Sequence, residues 1–263
     1  MSDHLLTNYD VYLQRMTDST AISSKGLIPN LVKGKTLDVG CGSGVLLEKF
    51  SNAIGIDTDL RAVDLCRNKG LNVFNTSLYN LNENYDTIIF SSVLHEFSSY
   101  DETDAFTDIP IKKALNKAYE LLNHKGQIII RDGVKANQSI TMVKPKNIEI
   151  LVDLNQYLQD TPIKFENYTF DHNSIIGTSN MLKEFMYTYT WGKESYSREV
   201  KEQYGILTKE EWINVIGECG FTITGLNTYP EEYAKYLSKY FELDNNLVNL
   251  FKESTILITA EKR

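Results

Sequence analysis

No stretch of this chain approaches the roughly 18 consecutive apolar residues of a membrane-spanning helix. The opening Met-Ser-Asp-His-Leu-Leu shows no basic leader followed by an apolar run, so neither membrane insertion nor secretion is expected. Cysteine is scarce: Cys41, Cys66 and Cys219 are odd in number and far apart. That spacing offers neither a disulfide framework nor a zinc pattern and fits a reducing cytoplasm. Basic residues are outnumbered, with 27 Lys and Arg against 35 Asp and Glu for a formal charge of −8. Such a surface repels polyphosphate at long range and disfavours general nucleic-acid binding. Internal repeats and low-complexity tracts are absent as well.

What the 263 residues do contain is ordinary globular composition, 42% hydrophobic and 24% charged, enough to bury a core without staples. Residues 1–34 carry apolar positions at loosely helical spacing and read as a helical N-terminal cap. From Lys35 short apolar runs alternate with helix-period segments, the rhythm of a mainly parallel sheet with helices on both faces. Strands are expected at 36–40, 53–57, 71–75, 86–91 and 127–132. Asp59 is placed to N-cap one crossover helix, Asp108 with Pro110 to open another. The core spans 35–133, an insertion 134–207 follows strand five, and 208–263 completes a seven-stranded sheet. Thr208 and Glu211 have capping-box spacing, and the last strands fall at 221–224 and 254–260.

The strongest chemical signal is Leu37-Asp38-Val39-Gly40-Cys41-Gly42-Ser43-Gly44, a strand running into a glycine-rich turn and then a helix at Val45-Leu46-Leu47. Glycines let backbone approach a ligand, and a helix N-terminus offers unpaired N–H groups to a negatively charged or zwitterionic end. The order is G-x-G-x-G, unlike the G-x-G-x-x-G of nicotinamide and flavin proteins. Gly55-Ile56-Asp57 closes the next strand, where a carboxylate can accept hydrogen bonds from both ribose hydroxyls of a nucleoside.

With Tyr85 to Phe97 and Leu121 to Asp132, these blocks resemble, in order and spacing, the class I, Rossmann-like S-adenosylmethionine-dependent methyltransferases over roughly residues 35–133. The resemblance implies S-adenosylmethionine as cofactor. It assigns the methionine portion to Asp38 and to the turn Gly40, Cys41, Gly42 and Gly44, the ribose to Asp57 with Thr58 beside it, and the adenine flank to Leu78. Ser91, at the end of strand four, belongs to the same cofactor set. Many members carry Asp where this chain has Ser77, so the usual carboxylate contact to the adenine amino group is missing.

Methyl transfer from a sulfonium relies largely on positioning, and only some acceptors need a base. His95, after strand four, is the preferred base or acceptor-orienting residue, with Asp132 orienting either the acceptor or His95. Glu96, Tyr196 and Arg198 rank lower, and no metal site is expected. In the insertion, Phe185, Tyr187, Tyr189 and Trp191 recur at period two; on a strand they would share one face, either as a stacking platform or as the core of a small subdomain. Neither a Pro-Cys nucleophile nor an Asn-Pro-Pro-aromatic or Asp-Pro-Pro-aromatic run is present, which disfavours DNA methylation. The expected activity is methylation of an oxygen or nitrogen on a small or medium-sized acceptor. RNA methylation, a non-catalytic cofactor-binding regulator and, more distantly, a nicotinamide oxidoreductase are the competing readings.

Overall fold

The computed structural model describes residues 23–170, 173–230 and 232–263. The expected N-terminal helical cap falls mostly on residues 1–22, outside this set; its described end is a 3-10 helix, Ser24–Asn30, whose Ile28 is fully buried. The strands are β1 Thr36–Val39, β2 Ala53–Asp57, β3 Val73–Asn75, β4 Tyr85–Ser91, β5 Leu122–Gly133, β6 Ile140–Val143, β7 Thr169–Phe170, β8 Ile175–Thr178, β9 Phe221–Tyr229 and β10 Thr255–Lys262. Seven of them form one sheet in the order β3-β2-β1-β4-β5-β10-β9. Strands β1 to β5 pair in parallel, and β10 runs antiparallel between β5 and β9.

The centre of this sheet is buried on both faces, as a parallel sheet requires. Ile88, Ile89 and Phe90 of β4 and Ile128, Ile129 and Ile130 of β5 are all inaccessible to solvent. Because successive side chains alternate, Ile88, Phe90, Ile128 and Ile130 face the helices Ile109–Leu121 and Lys209–Glu218, while Ile89 and Ile129 meet Ile28, Leu46 and Leu257 on the other side. The expected punctuation is present: Asp59 Oδ1 accepts from Arg61 N at 2.9 Å, and Thr208 with Glu211 closes a reciprocal capping box. Asp108 precedes the helix Ile109–Leu121 with Pro110 in its first turn, although its side chain makes no capping bond.

The chain leaves β1 toward β2 and β3, then returns to the other side of β1 for β4 and β5. This reversal opens a crevice at the carboxyl ends of β1 and β4, the place where open α/β sheets hold ligands.

Two expectations are corrected. Val45-Leu46-Leu47 does not start an α-helix; a single 3-10 turn, Leu47–Lys49, fills the short span before β2. The segment with Phe185, Tyr187, Tyr189 and Trp191 is not a strand but the α-helix Ser179–Trp191. Thr178 caps it by accepting from Met181 N at 3.2 Å, and Gly192, at φ +75°, ends it. Met181, Leu182, Phe185, Met186 and Tyr189 follow helical spacing, and residues 179–188 are buried all round, so burial outweighs the two-residue rhythm. Phe185 and Tyr187 lie in a second core with Leu154 and Tyr157 of the helix Glu149–Asp160. Leu237, Phe241, Leu247 and Phe251, from beyond residue 207, complete that core. A small antiparallel sheet, β6-β8-β7, borders it.

Candidate active site

The crevice at the reversal holds a cavity of about 250 Å³. One wall is the glycine turn and the end of β2. Gly40 N and Cys41 N donate to Ile56 O at 2.9 and 3.1 Å, and Gly42 N donates to Asp57 Oδ2 at 2.9 Å. The turn and the β2 carboxylate are therefore in direct contact. Gly40, at φ +66°, cannot be exchanged without strain, since a Cβ there would lie 2.5 Å from Val93 Cγ2. The N–H groups of Gly40, Cys41, Gly42 and Gly44 all bond within the protein, so the turn does not offer the array of unpaired donors expected of a helix N-terminus. It offers close backbone and two flanking charges.

Those charges are Asp38 and Lys25, both lining the cavity although nearly buried. Burial raises the Asp38 carboxyl to about 7, with Lys25 pulling it down and Asp57 pushing it further up. Lys25 was not singled out by the sequence, where it falls within the segment read as a helical cap. Asp57 is also raised by burial, against hydrogen bonds from Asp59 N at 2.9 Å and from Gly42 N. Each of its oxygens accepts one of these bonds, leaving acceptor capacity on both. Thr58, Ser77 and Leu78 continue this wall. The Ser77 hydroxyl accepts from Tyr79 N at 3.4 Å, capping the turn Leu78–Asn80.

The opposite wall begins at β4. Ser91 Oγ is buried and has no hydrogen-bond partner among the described residues, an orphan hydroxyl in the cavity lining. Ser92 follows in the left-handed region, φ +59°, and its hydroxyl receives a bond from Arg131 Nη1 at 2.5 Å. Arg131 Nε also reaches Ser24 Oγ at 3.0 Å, tying the chain ahead of β1 to the floor of the cavity.

The next helix, Leu94–Ser99, carries His95. Glu96 and Phe97, together with Tyr100 just beyond the helix, line the cavity, whereas His95 is buried behind them. Its Nδ1 lies 2.7 Å from Asp132 Oδ1, its Nε2 3.6 Å from Glu202 Oε2, and its ring packs on Tyr204. Burial alone would lower the imidazole pKa, but the Asp132 and Glu202 carboxylates outweigh it and hold it well above the ordinary value. The ring thus lies between two carboxylates, behind the residues that line the cavity. Asp132 has a structural task too: its Oδ2 accepts from Leu94 N and His95 N at 2.9 and 3.2 Å, capping the helix. The sequence also allows Asp132 to be a helix or loop cap; the geometry supports that role together with orienting His95, and Asp132 is not among the residues that line the cavity.

The remaining wall comes from the insertion. Arg198 lines the cavity, reaching Glu96 Oε1 at 2.8 Å and Glu202 Oε1 at 3.0 Å. Tyr100 donates to Glu202 Oε1 at 2.8 Å, and Gln203 N to Ser99 Oγ at 2.9 Å. Glu199 is buried beside them, its Oε2 bonded to Tyr204 and its Oε1 3.9 Å from Arg198 Nε. Donor atoms of His95, Glu96 and Glu202 lie within 4.8 Å of one another. A guanidinium already bridges the two glutamates there, so a divalent ion would have to displace it. Glu96 and Arg198, ranked low from sequence, are the charged residues at the cavity on this side.

Residues 18–183 match the family described as a methyltransferase domain. Among solved structures, an S-adenosylmethionine-dependent methyltransferase from Mesorhizobium loti is 14% identical, covers 95% of this chain and 100% of its own, and superposes with a TM-score of 0.54. The cyclopropane synthase MmaA2 from Mycobacterium tuberculosis is 14% identical over 87% of this chain and 78% of its own, TM-score 0.51. A Thermotoga maritima protein described as a possible histamine N-methyltransferase is 14% identical over 96% and 91%, TM-score 0.50. At such identities the likeness is one of fold. No curated protein matches the chain.

Proposed function

Because the chain belongs to the methyltransferase domain family and is an S-adenosylmethionine-dependent enzyme, we propose that it methylates an oxygen or nitrogen of a small or medium-sized acceptor in the cytoplasm. The observation that carries this reading is the cavity bounded by the Gly40–Gly44 turn, Asp57 and the orphan Ser91 hydroxyl, with further space toward Glu96 and Tyr100. These residues fit the cofactor. Asp38 and Lys25 line the cavity together, and the ammonium of an amino-acid end favours the ionised form of Asp38 while its carboxylate suits Lys25. The remaining acceptor capacity of Asp57 suits vicinal ribose hydroxyls, Thr58, Ser77 and Leu78 flank a base, and the Ser91 hydroxyl gains a partner. When bound, the cofactor supplies a methyl group already activated on a sulfonium, so transfer is an in-line displacement.

The protein's own contribution is placement and exclusion of water. Arg198 and Tyr100 wall the cavity from the insertion side, and His95 with Asp132 holds the helix that carries Glu96. RNA methylation loses its best support, since the aromatic run that would have formed a base platform is core. Among the described residues no helix is long and apolar enough to cross a membrane. The test is incubation of the purified protein with methyl-labelled cofactor and cell extract, followed by separation of small molecules, RNA and protein. Label in the small-molecule fraction is expected; label confined to RNA or protein defeats the proposal.

A further inference from the structure

We propose that the acceptor carries a protonated amine and that Glu96 is the residue that selects it. The inference rests on the methyl-transfer reading above and starts from charge balance around one buried cluster. Four carboxylates, Glu96, Glu199, Glu202 and Asp132, surround two cations, Arg198 and His95. Asp132 pairs with His95, and Glu202 lies against both His95 and Arg198. Glu199 sits deepest, fully buried and with Oε1 lacking a hydrogen bond, and its carboxyl is pushed well above the usual range by burial and by Glu202. Its protonated form is therefore favoured, and Glu96, Glu202 and Asp132 are the carboxylates that face the two cations.

The unbalanced carboxylate is the one at the cavity. Arg198 approaches Oε1 of Glu96, and a carboxylate has about four acceptor sites. Every other carboxylate of the cluster lies behind the cavity wall. Burial raises Glu96 to about 7 against the pull of Arg198, with Glu202 and Asp57 pushing it up and His95 pulling it down. A cation docked in the cavity restores the balance and favours the ionised form; an anion meets repulsion, and a neutral group leaves a desolvated charge. The site is more than an acidic cluster, because Glu96 lines the same cavity as the orphan Ser91 Oγ, more than nine-tenths buried and assigned above to the cofactor, so a group docked at Glu96 shares a cavity with the methyl donor. Phe97 and Tyr100 beside Glu96 supply apolar and aromatic surface for the body of such an amine.

The test follows label and affinity together. Methyl-labelled cofactor and a small-molecule extract are incubated with the wild-type enzyme, and the products are separated by ion exchange at neutral pH. The labelled product should be retained by the cation exchanger. For that acceptor, E96Q should raise KM about 10- to 100-fold, the value of a hydrogen bond to a charged group, with kcat changed far less. The fall in wild-type kcat/KM below pH 7, as Glu96 takes up its proton, should be absent in E96Q. Calorimetry with S-adenosylhomocysteine should show E96Q binding as wild type does, which establishes its fold. Labelled products that are only neutral or anionic overturn the amine assignment and leave methyl transfer standing. An E96Q enzyme that loses S-adenosylmethionine affinity but keeps S-adenosylhomocysteine affinity, with acceptor KM unchanged, places Glu96 against the sulfonium and also overturns it. Label in no fraction, despite S-adenosylhomocysteine binding, defeats the methyl-transfer reading and this one with it. The wild-type product charge decides the matter even if E96Q does not fold.

Discussion

Along the β1–β2 wall of the cavity the defining contact, Gly42 N to Asp57 Oδ2, joins residues 15 positions apart. On the insertion wall the corresponding contacts, Tyr100 to Glu202 and Gln203 to Ser99, span 102 and 104 positions. The first wall is mostly backbone geometry with a few carboxylates; the second is an interlocked set of ionised side chains. Backbone cradles tolerate divergence around them, because a turn needs only its glycines and one acceptor. A buried charge network tolerates little, since removing one member strands the others.

The sharpest way to break this contrast is His95→Ala. It leaves Asp132 and Glu202 without their shared imidazolium, and loss of one partner from a buried ion pair costs about 3–5 kcal/mol. Denaturant unfolding at pH 7 should show a loss of that size. The contribution of His95 is fully present below its unfolded pKa and is withdrawn only as pH rises through its raised folded value, so wild type should lose this increment in the alkaline range while the variant has none to lose. A stability within about 0.5 kcal/mol of wild type, with turnover abolished, would restore His95 as a base.

On the other wall, Asp57→Ala should weaken S-adenosylhomocysteine binding by about 1–3 kcal/mol in calorimetry. Global stability should change less than in His95→Ala. Equal effects on both measurements would erase the distinction between the walls.

Asp38→Asn sharpens the comparison through pH. The folded protein holds a proton on Asp38 up to about pH 7, whereas the unfolded chain releases it near its ordinary carboxylate value. Stability without ligand should therefore fall as pH rises across that window, by up to about 1.4 kcal/mol per pH unit from this group, and level off above it. The Asn variant should show a flatter profile in thermal unfolding, and an unchanged slope would remove Asp38 as its source. The smallest effect belongs to Ser91→Ala, which deletes an unpartnered hydroxyl. Stability should stay within about 0.5 kcal/mol of wild type, while cofactor affinity drops by about 1 kcal/mol.

The same contrast explains what could be read from sequence. The seven-stranded sheet and the Gly40–Gly44 turn with Asp57 were legible because apolar runs, caps and glycine spacing act within a few residues of one another. The subdomain core around Phe185 and Tyr187 was one of the two readings of the aromatic run, but its helix Ser179–Trp191 was hidden by a two-residue repeat, because the burial that makes the segment helical depends on residues near 154 and 241–251. Lys25 sits in the segment read as a helical cap and reaches the cavity because Ile28 anchors that segment against the sheet. His95 stood in the right neighbourhood, but whether it or Glu96 met the cavity depended on Glu202, more than a hundred positions downstream. The thiols Cys41 and Cys66 showed no paired pattern in sequence, yet they meet beneath the glycine turn, with Cys66 Sγ donating to Gly42 O at 3.2 Å.

Arg131 gives the chain ahead of β1 a stake in ligand binding. One guanidinium grips Ser24 on that segment and Ser92 on the cavity floor, and Lys25 reaches the cavity from the same turn. If this segment can leave the sheet, its docking and the capture of the cofactor are linked, and whatever tightens one tightens the other by the same factor. Protease trimming at this end of the molecule should slow when the cofactor is present, giving a readout of occupancy that needs no acceptor.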